Sequence, residues 1–151
     1  MGTNMGLHVE AFIGGAWRNR TVEAGAEYMH DGKHWGPSER NYAVYGRLND
    51  VGWPDRCGPI VPSDRAPAEG VDREAISRVE GDGYLSAEAA RWATVAELRA
   101  ADWTHHLAWE PWRATDLSGD TFVVWLRGPL VDAVVAEAGD PERVRLLWWW
   151  T

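Results

Sequence analysis

Val144-Arg145-Leu146-Leu147-Trp148-Trp149-Trp150 is the stretch that decides the fold. Val144, Leu146, Trp148 and Trp150 alternate with Arg145, Leu147 and Trp149, the period of two that marks a β-strand. Toward its end the run is apolar on both faces, so the strand is expected inside a sheet or beneath a helix. Left as an open edge, it would invite pairing between molecules. The charge of the chain gives little protection there. The acidic excess lies in residues 61–120, which carry 12 acidic and 6 basic groups.

A partner is available at the other end of the sequence. Leu7–Ile13 alternates Leu7, Val9 and Ala11 with His8, Glu10 and Phe12, the pattern of a half-buried strand. Gly14-Gly15 follows as a hairpin turn, and Ala16-Trp17-Arg18 reads as the returning strand. Pairing of Leu7–Ile13 with Val144–Trp150 would place both terminal strands in one sheet.

Helical spacing appears in three places. Tyr42, Tyr45 and Leu48 recur at steps of three within 39–48, with Val44 four before Leu48. Thr94-Val95-Ala96-Glu97 has the form of a capping box opening a helix over 94–101. Phe122, Trp125, Leu126, Leu130, Val134 and Val135 set out a helix over 121–138. Gly128-Pro129 falls inside it, so a kink or a pair of helices is expected, closed by Gly139-Asp140-Pro141. Shorter helices are expected over 71–80 and from Ser86. Residues 19–38 read as an irregular loop. Residues 52–70 hold four of the eight prolines and read as a long extended loop, the kind of segment that often serves as a lid or a binding element.

These elements give an α+β fold: a small antiparallel or mixed sheet that includes both terminal strands, covered by about three helices. The 151 residues suit a single globular domain. Hydrophobic residues at 45% and charged residues at 25% exclude a disordered or collagen-like chain. One cysteine, Cys57, excludes an intrachain disulfide. A net charge of -8 argues against nucleic acid or a polybasic membrane contact as the partner. No leader and no spanning apolar run are read from the sequence, so a cytoplasmic protein is expected. Arginine outnumbers lysine 14 to 1, a mark of a GC-rich coding sequence of the actinobacterial or phage type.

Several segments taken together resemble a group of small uncharacterised proteins of phages and actinobacterial-type bacteria. They are the first strand, the Arg40-Asn41-Tyr42-x-x-Tyr45-x-x-Leu48 helix, the Pro-rich loop, Trp92-x-Thr94-x-x-Glu97-Leu98 and the final Val-Arg-Leu-Leu-Trp-Trp-Trp strand. This chain departs from their pattern at Asn49-Asp50-Val51-Gly52, where a small-residue turn with arginine is expected. The resemblance implies no activity and transfers no functional residue.

Candidate chemistry is sparse. His105 and His106 are adjacent, so on a helix their rings diverge by about 100°, and only one would face a given site. Asp102 lies four residues before His106 and could orient that ring. The pair reads equally as a boundary feature. His30 and His34, with His8, could approach one another across a loop, or simply be solvated. Cys57 beside Arg56 could be activated, or be a plain loop thiol. No metal and no cofactor is expected. Phosphate-loop, dinucleotide, zinc-protease and nucleophile-elbow motifs are absent from the sequence.

Tryptophan is the informative residue, with 11 copies against 2 phenylalanines and 4 tyrosines. Trp125 and Trp148 lie on periodic apolar faces and are expected in the core. Trp17, Trp35, Trp53, Trp103, Trp109 and Trp112 fall in loops or at element ends, where an indole offers a flat apolar face and one donor to a partner. The expectation is a non-enzymatic interaction protein of phage type that binds a host protein through this aromatic and acidic surface. The alternative is a small-molecule-binding enzyme with its pocket between the sheet and the 52–70 loop, and with Arg40, Tyr42, His105 and His106 as its polar groups.

Overall fold

A computed structural model of the chain describes residues 5–26, 48, 60–62, 64–72, 90–103 and 122–150. Its frame is a four-stranded antiparallel sheet built from β1 (Met5–Ile13), β2 (Ala16–Asn19), β3 (Arg91–Thr94) and β4 (Val144–Trp150), in the order β2-β1-β4-β3. Both terminal strands belong to the sheet, and they pair with each other along seven positions from Met5↔Trp150 to Ala11↔Val144. The expected strand at 144–150 is therefore a central one, with β3 on its other side.

The β1–β2 connection is the expected two-residue turn. Gly14 and Gly15 have φ of 61° and 82°, the left-handed pair that a twist-compatible hairpin turn needs and that side chains resist. β3 was not legible beforehand. It has four residues, too few to show a period, and it runs directly into a helix.

That helix, α1 (Val95–Ala100), begins as its capping box predicts. The Thr94 hydroxyl accepts from the Glu97 N–H at 3.1 Å, and the Glu97 carboxylate accepts from the Thr94 N–H at 3.0 Å. The segment 121–138 divides into α2 (Phe122–Leu126) and α3 (Pro129–Ala138) at Gly128-Pro129. A Cβ at Gly128 would lie 3.0 Å from the Val124 carbonyl, and Pro129 takes the first helical position, where no N–H is needed. A short 3₁₀ turn (Pro141–Arg143) feeds β4.

The break resets the helical phase, which corrects one expectation. A continuous helix would put Leu130 on the buried stripe with Leu126 and Val134. In the structure α3 buries Val131, Val134 and Ala138 instead, and Leu130 is 51% exposed. Trp125 is corrected too. It is partly buried against the core, and its Nε1 donates to the Ala24 carbonyl at 2.6 Å. Of the remaining expected elements, the helix at 39–48 lies outside the described residues except for Leu48, which is helical and buried. Val71 and Asp72, where a further helix was expected to begin, are not helical. The rest of that segment and the helix expected from Ser86 lie outside the described residues.

Register divides the sheet into two unlike faces, because directly opposed residues share a face. The row Val9–Leu146–Ala93, with Leu7, Trp148, Ala11 and Val144, turns toward the helices and forms the main core. The other face carries His8, Glu10, Phe12, Trp17, Arg145, Leu147 and Trp92. Among the described residues, the fully buried ionisable strand residues lie on this face: His8 and Glu10 are 0% exposed and Arg145 is 2% exposed.

Candidate functional site

Charged groups fully withdrawn from water are costly unless they are paired and hydrogen-bonded, so the second face of the sheet is the natural place to look for a site. The register sets Glu10 of β1 directly opposite Arg145 of β4. Arg145 donates from Nε (2.9 Å) and Nη2 (2.8 Å) to Glu10 Oε1. The other carboxylate oxygen, Oε2, accepts from the Asp72 N–H at 2.7 Å and lies 3.1 Å from His8 Nε2. His8 Nδ1 in turn lies 3.3 Å from the Thr21 hydroxyl oxygen. That hydroxyl donates to Asn19 Oδ1 at 2.7 Å and accepts from the Val9 N–H at 3.0 Å.

Aromatic rings wall the cluster. The Arg145 guanidinium carbon lies 3.9 Å from the Trp17 ring centroid and 6.0 Å from that of Trp92. Arg65 stacks on Trp92 at 4.5 Å. The series Trp17–Arg145–Trp92–Arg65 therefore alternates rings and cations across the sheet, each cation facing a ring quadrupole. Each arginine also has its own carboxylate. Arg65 forks onto Glu97, Nη1 to Oε1 at 2.9 Å and Nη2 to Oε2 at 2.6 Å. Glu97 thus closes the α1 capping box and anchors Arg65 at once.

Electrostatics follow from these contacts. Burial alone would raise the Glu10 carboxyl, but hydrogen bonds from His8, the Asp72 amide and Arg145, with the charge of His8, hold it below the ordinary carboxylate value. The hydrogen bonds from Arg65 are the main cause of a lowered Glu97 carboxyl. Burial works against the charge on Arg145, and Glu10 opposes that effect.

Among the described residues, the cover over this face is the end of the Pro-rich loop. Residues 65–72 run across the strands as a strap. Trp92 of β3 donates from Nε1 to the Ala66 carbonyl at 2.8 Å. Arg145 of β4 donates to the Glu69 carbonyl at 2.7 Å. Gly70, with φ of 65°, comes so close to Trp17 of β2 that a Cβ there would lie 3.3 Å from the indole. Asp72 then reaches Glu10 of β1.

Of the tryptophans and polar groups expected to meet a partner, Trp17 is described on β2 beneath Gly70, and Trp103 just after α1. Trp103 is 6% exposed, sits 5.3 Å from the Phe122 ring and donates from Nε1 to the Leu98 carbonyl at 2.8 Å. It closes the end of α1 within the core rather than presenting an indole outward. Trp35, Trp53, Trp109, Trp112, Arg40, Tyr42, His105 and His106 lie outside the described residues, as do Cys57, His30 and His34. The Glu10–Arg145 pair was missed. Its signal was present as one acidic and one basic residue, each inside a strand pattern and brought opposite each other by the expected pairing. Among the described residues no group of three or more His, Cys, Asp or Glu could hold a metal ion, and no helix is long and apolar enough to cross a membrane. No family model, curated protein or solved structure matches the chain.

Proposed function

We propose that this is a non-enzymatic interaction protein, which binds a protein partner through its aromatic and acidic surface. The observation that carries this reading is the closed state of Glu10. It is fully buried, it accepts from Arg145 and from a backbone amide, and His8 lies against it. A general acid or base must reach a substrate proton, and this carboxylate is instead committed to holding sheet and strap together. The described strap also lies directly on the sheet, where the enzyme alternative would put its pocket. Trp17 and Trp92, each partly exposed and stacked on arginine, extend the aromatic surface that Trp35, Trp53, Trp109 and Trp112 are proposed to form. Arg40, Tyr42, His105 and His106 are proposed as its polar contacts. In the phage-derived setting the partner is a bacterial host protein.

The test joins two measurements. Affinity capture from bacterial extract should recover a discrete protein that is lost with Trp109→Ala and Trp112→Ala variants of unchanged melting temperature. A melt-shift screen with nucleotides, sugars and divalent metals should stay flat. A saturable shift with one small molecule, together with its chemical conversion, would establish the enzyme alternative instead.

A further inference from the structure

The two faces of the sheet are covered by very different means. Among the described residues the helix side has a cluster of 19 buried apolar residues, whereas the strap side has two, Ala90 and Leu147. Among the described residues the strap adds Ala68 and Val71, both partly buried, while Ala66, Pro67, Glu69 and Gly70 are exposed. Its attachments to the described sheet and helix include four polar, discrete ones: Arg65 on Glu97, the Ala66 carbonyl on Trp92, the Glu69 carbonyl on Arg145 and the Asp72 amide on Glu10. The β1–β4 ladder beneath pairs through its own backbone and needs none of these contacts.

We propose that residues 65–72 open from the sheet as a unit while the sheet stays folded, with Glu10 and Arg145 as the latch. Local opening follows the amount of apolar burial a segment contributes, and two small side chains contribute little. The latch works through two groups that hold each other independently of the strap. Arg145 keeps Glu10 and Trp17 when the Glu69 carbonyl leaves. Glu10 keeps Arg145 and His8 when the Asp72 amide leaves. Opening therefore keeps the buried Glu10–Arg145 pair intact and frees only the partly exposed Glu97 from Arg65. It withdraws the strap from Glu10, Arg145 and Leu147 between the Trp17 and Trp92 rings. Glu10 stays bonded to Arg145 in the open form, so its commitment to that pair, on which the proposed function rests, holds in both states.

Amide hydrogen exchange on the full chain tests it. The Asp72 amide should exchange at least tenfold faster than the His8 and Glu10 amides, which face β4 in the ladder. Its rate should respond weakly to low denaturant, because opening exposes little surface. Arg65→Ala, which removes the partly exposed anchor farthest from the latch, should speed Asp72 exchange about fivefold, the effect of losing one such ion pair. The β1 and β4 amides should keep their rates. Glu10→Gln should speed Asp72 further. If that variant unfolds globally, Arg65→Ala alone carries the decision. Equal protection of Asp72 and β1 with the same denaturant slope, in the wild type and in Arg65→Ala, would show that strap and sheet open together and would overturn the proposal.

Discussion

Arg145 donates two hydrogen bonds to a single carboxylate oxygen of Glu10, a residue 135 positions away in the chain. The pair ties the last strand to the first across the centre of the sheet, at 2% and 0% exposure. Breaking it from one side leaves the other charge buried. Glu10→Leu or Arg145→Met alone should therefore cost about 3–5 kcal/mol in denaturant unfolding. The double variant Glu10→Leu/Arg145→Met should recover most of that loss, since apolar residues of similar volume often replace buried ion pairs at little cost. A double variant as unstable as the sum of the singles would show that the pair is not the coupling unit.

Acid should weaken the protein through the same carboxylate. Glu10 has a folded value held below the ordinary 4.5 by its hydrogen-bond donors. In the window below 4.5 the unfolded chain binds the proton and the folded chain does not, so the linkage favours unfolding as pH falls. The stabilisation is complete above the unfolded value and is lost as pH drops through the folded one. Glu97, also lowered, acts in the same direction. Stability measured against pH should fall below about 4.5, and Glu10→Gln should flatten that slope. An unchanged slope in Glu10→Gln would place the acid sensitivity elsewhere.

The two core tryptophans expected from sequence separate in the structure. Trp148 is 0% exposed on the central strand, and Trp148→Ala should cost about 3–5 kcal/mol. Trp125 is only partly buried, so Trp125→Ala should cost less, about 2 kcal/mol, including the loss of its bond to the Ala24 carbonyl. Paired denaturation curves give the comparison. Equal losses at the two sites would contradict the burial difference.

What could be read in the sequence follows from where the physics is local. Thr94 and Glu97 announce a helix start because the capping box lies within four consecutive residues. Gly14-Gly15 announces its turn because two positive φ angles in succession favour glycine. The β1–β4 pairing was legible because Val144–Trp150 is too apolar to be left open and Leu7–Ile13 matches its alternation. Glu10 opposite Arg145 needs the register as well as the pairing, since a shift of one residue would put the two on opposite faces. The strap offered only its prolines. Its role depends on carbonyls and an amide, which carry no side-chain signature. Leu130 misled because the helical period was carried across Gly128-Pro129, where the chain starts a new phase.

The capping box can be separated from the arginine it also holds. Thr94→Ala removes the cap that accepts from the Glu97 N–H and should cost about 1 kcal/mol. Glu97→Gln can still accept from the Thr94 N–H but loses the charge that Arg65 grips, and with Arg65 partly exposed the cost should be under about 1 kcal/mol. Glu97→Ala loses both and should exceed either. Thermal melts of the three variants rank them. A Glu97→Gln loss larger than that of Glu97→Ala would refute this division of roles.

Removal of residues 146–151 should be the most damaging change. Leu146, Leu147 and Trp148 lie in the strand between β1 and β3, so their loss takes the centre from the sheet and separates β3 from β1. It also exposes both faces at once. Leu146 and Trp148 leave the helix-side core, and Leu147 leaves the cluster beneath the strap. The β1 backbone groups that faced β4 would become an open edge flanked by Leu7 and Val9, a template for pairing between molecules. The truncated chain should therefore be insoluble, or should keep far-ultraviolet ellipticity while losing near-ultraviolet signal and binding a hydrophobic dye. A truncated chain that stays soluble, monomeric and cooperatively folded would show that β4 is dispensable, and would remove the central strand from the account of what holds this sheet together.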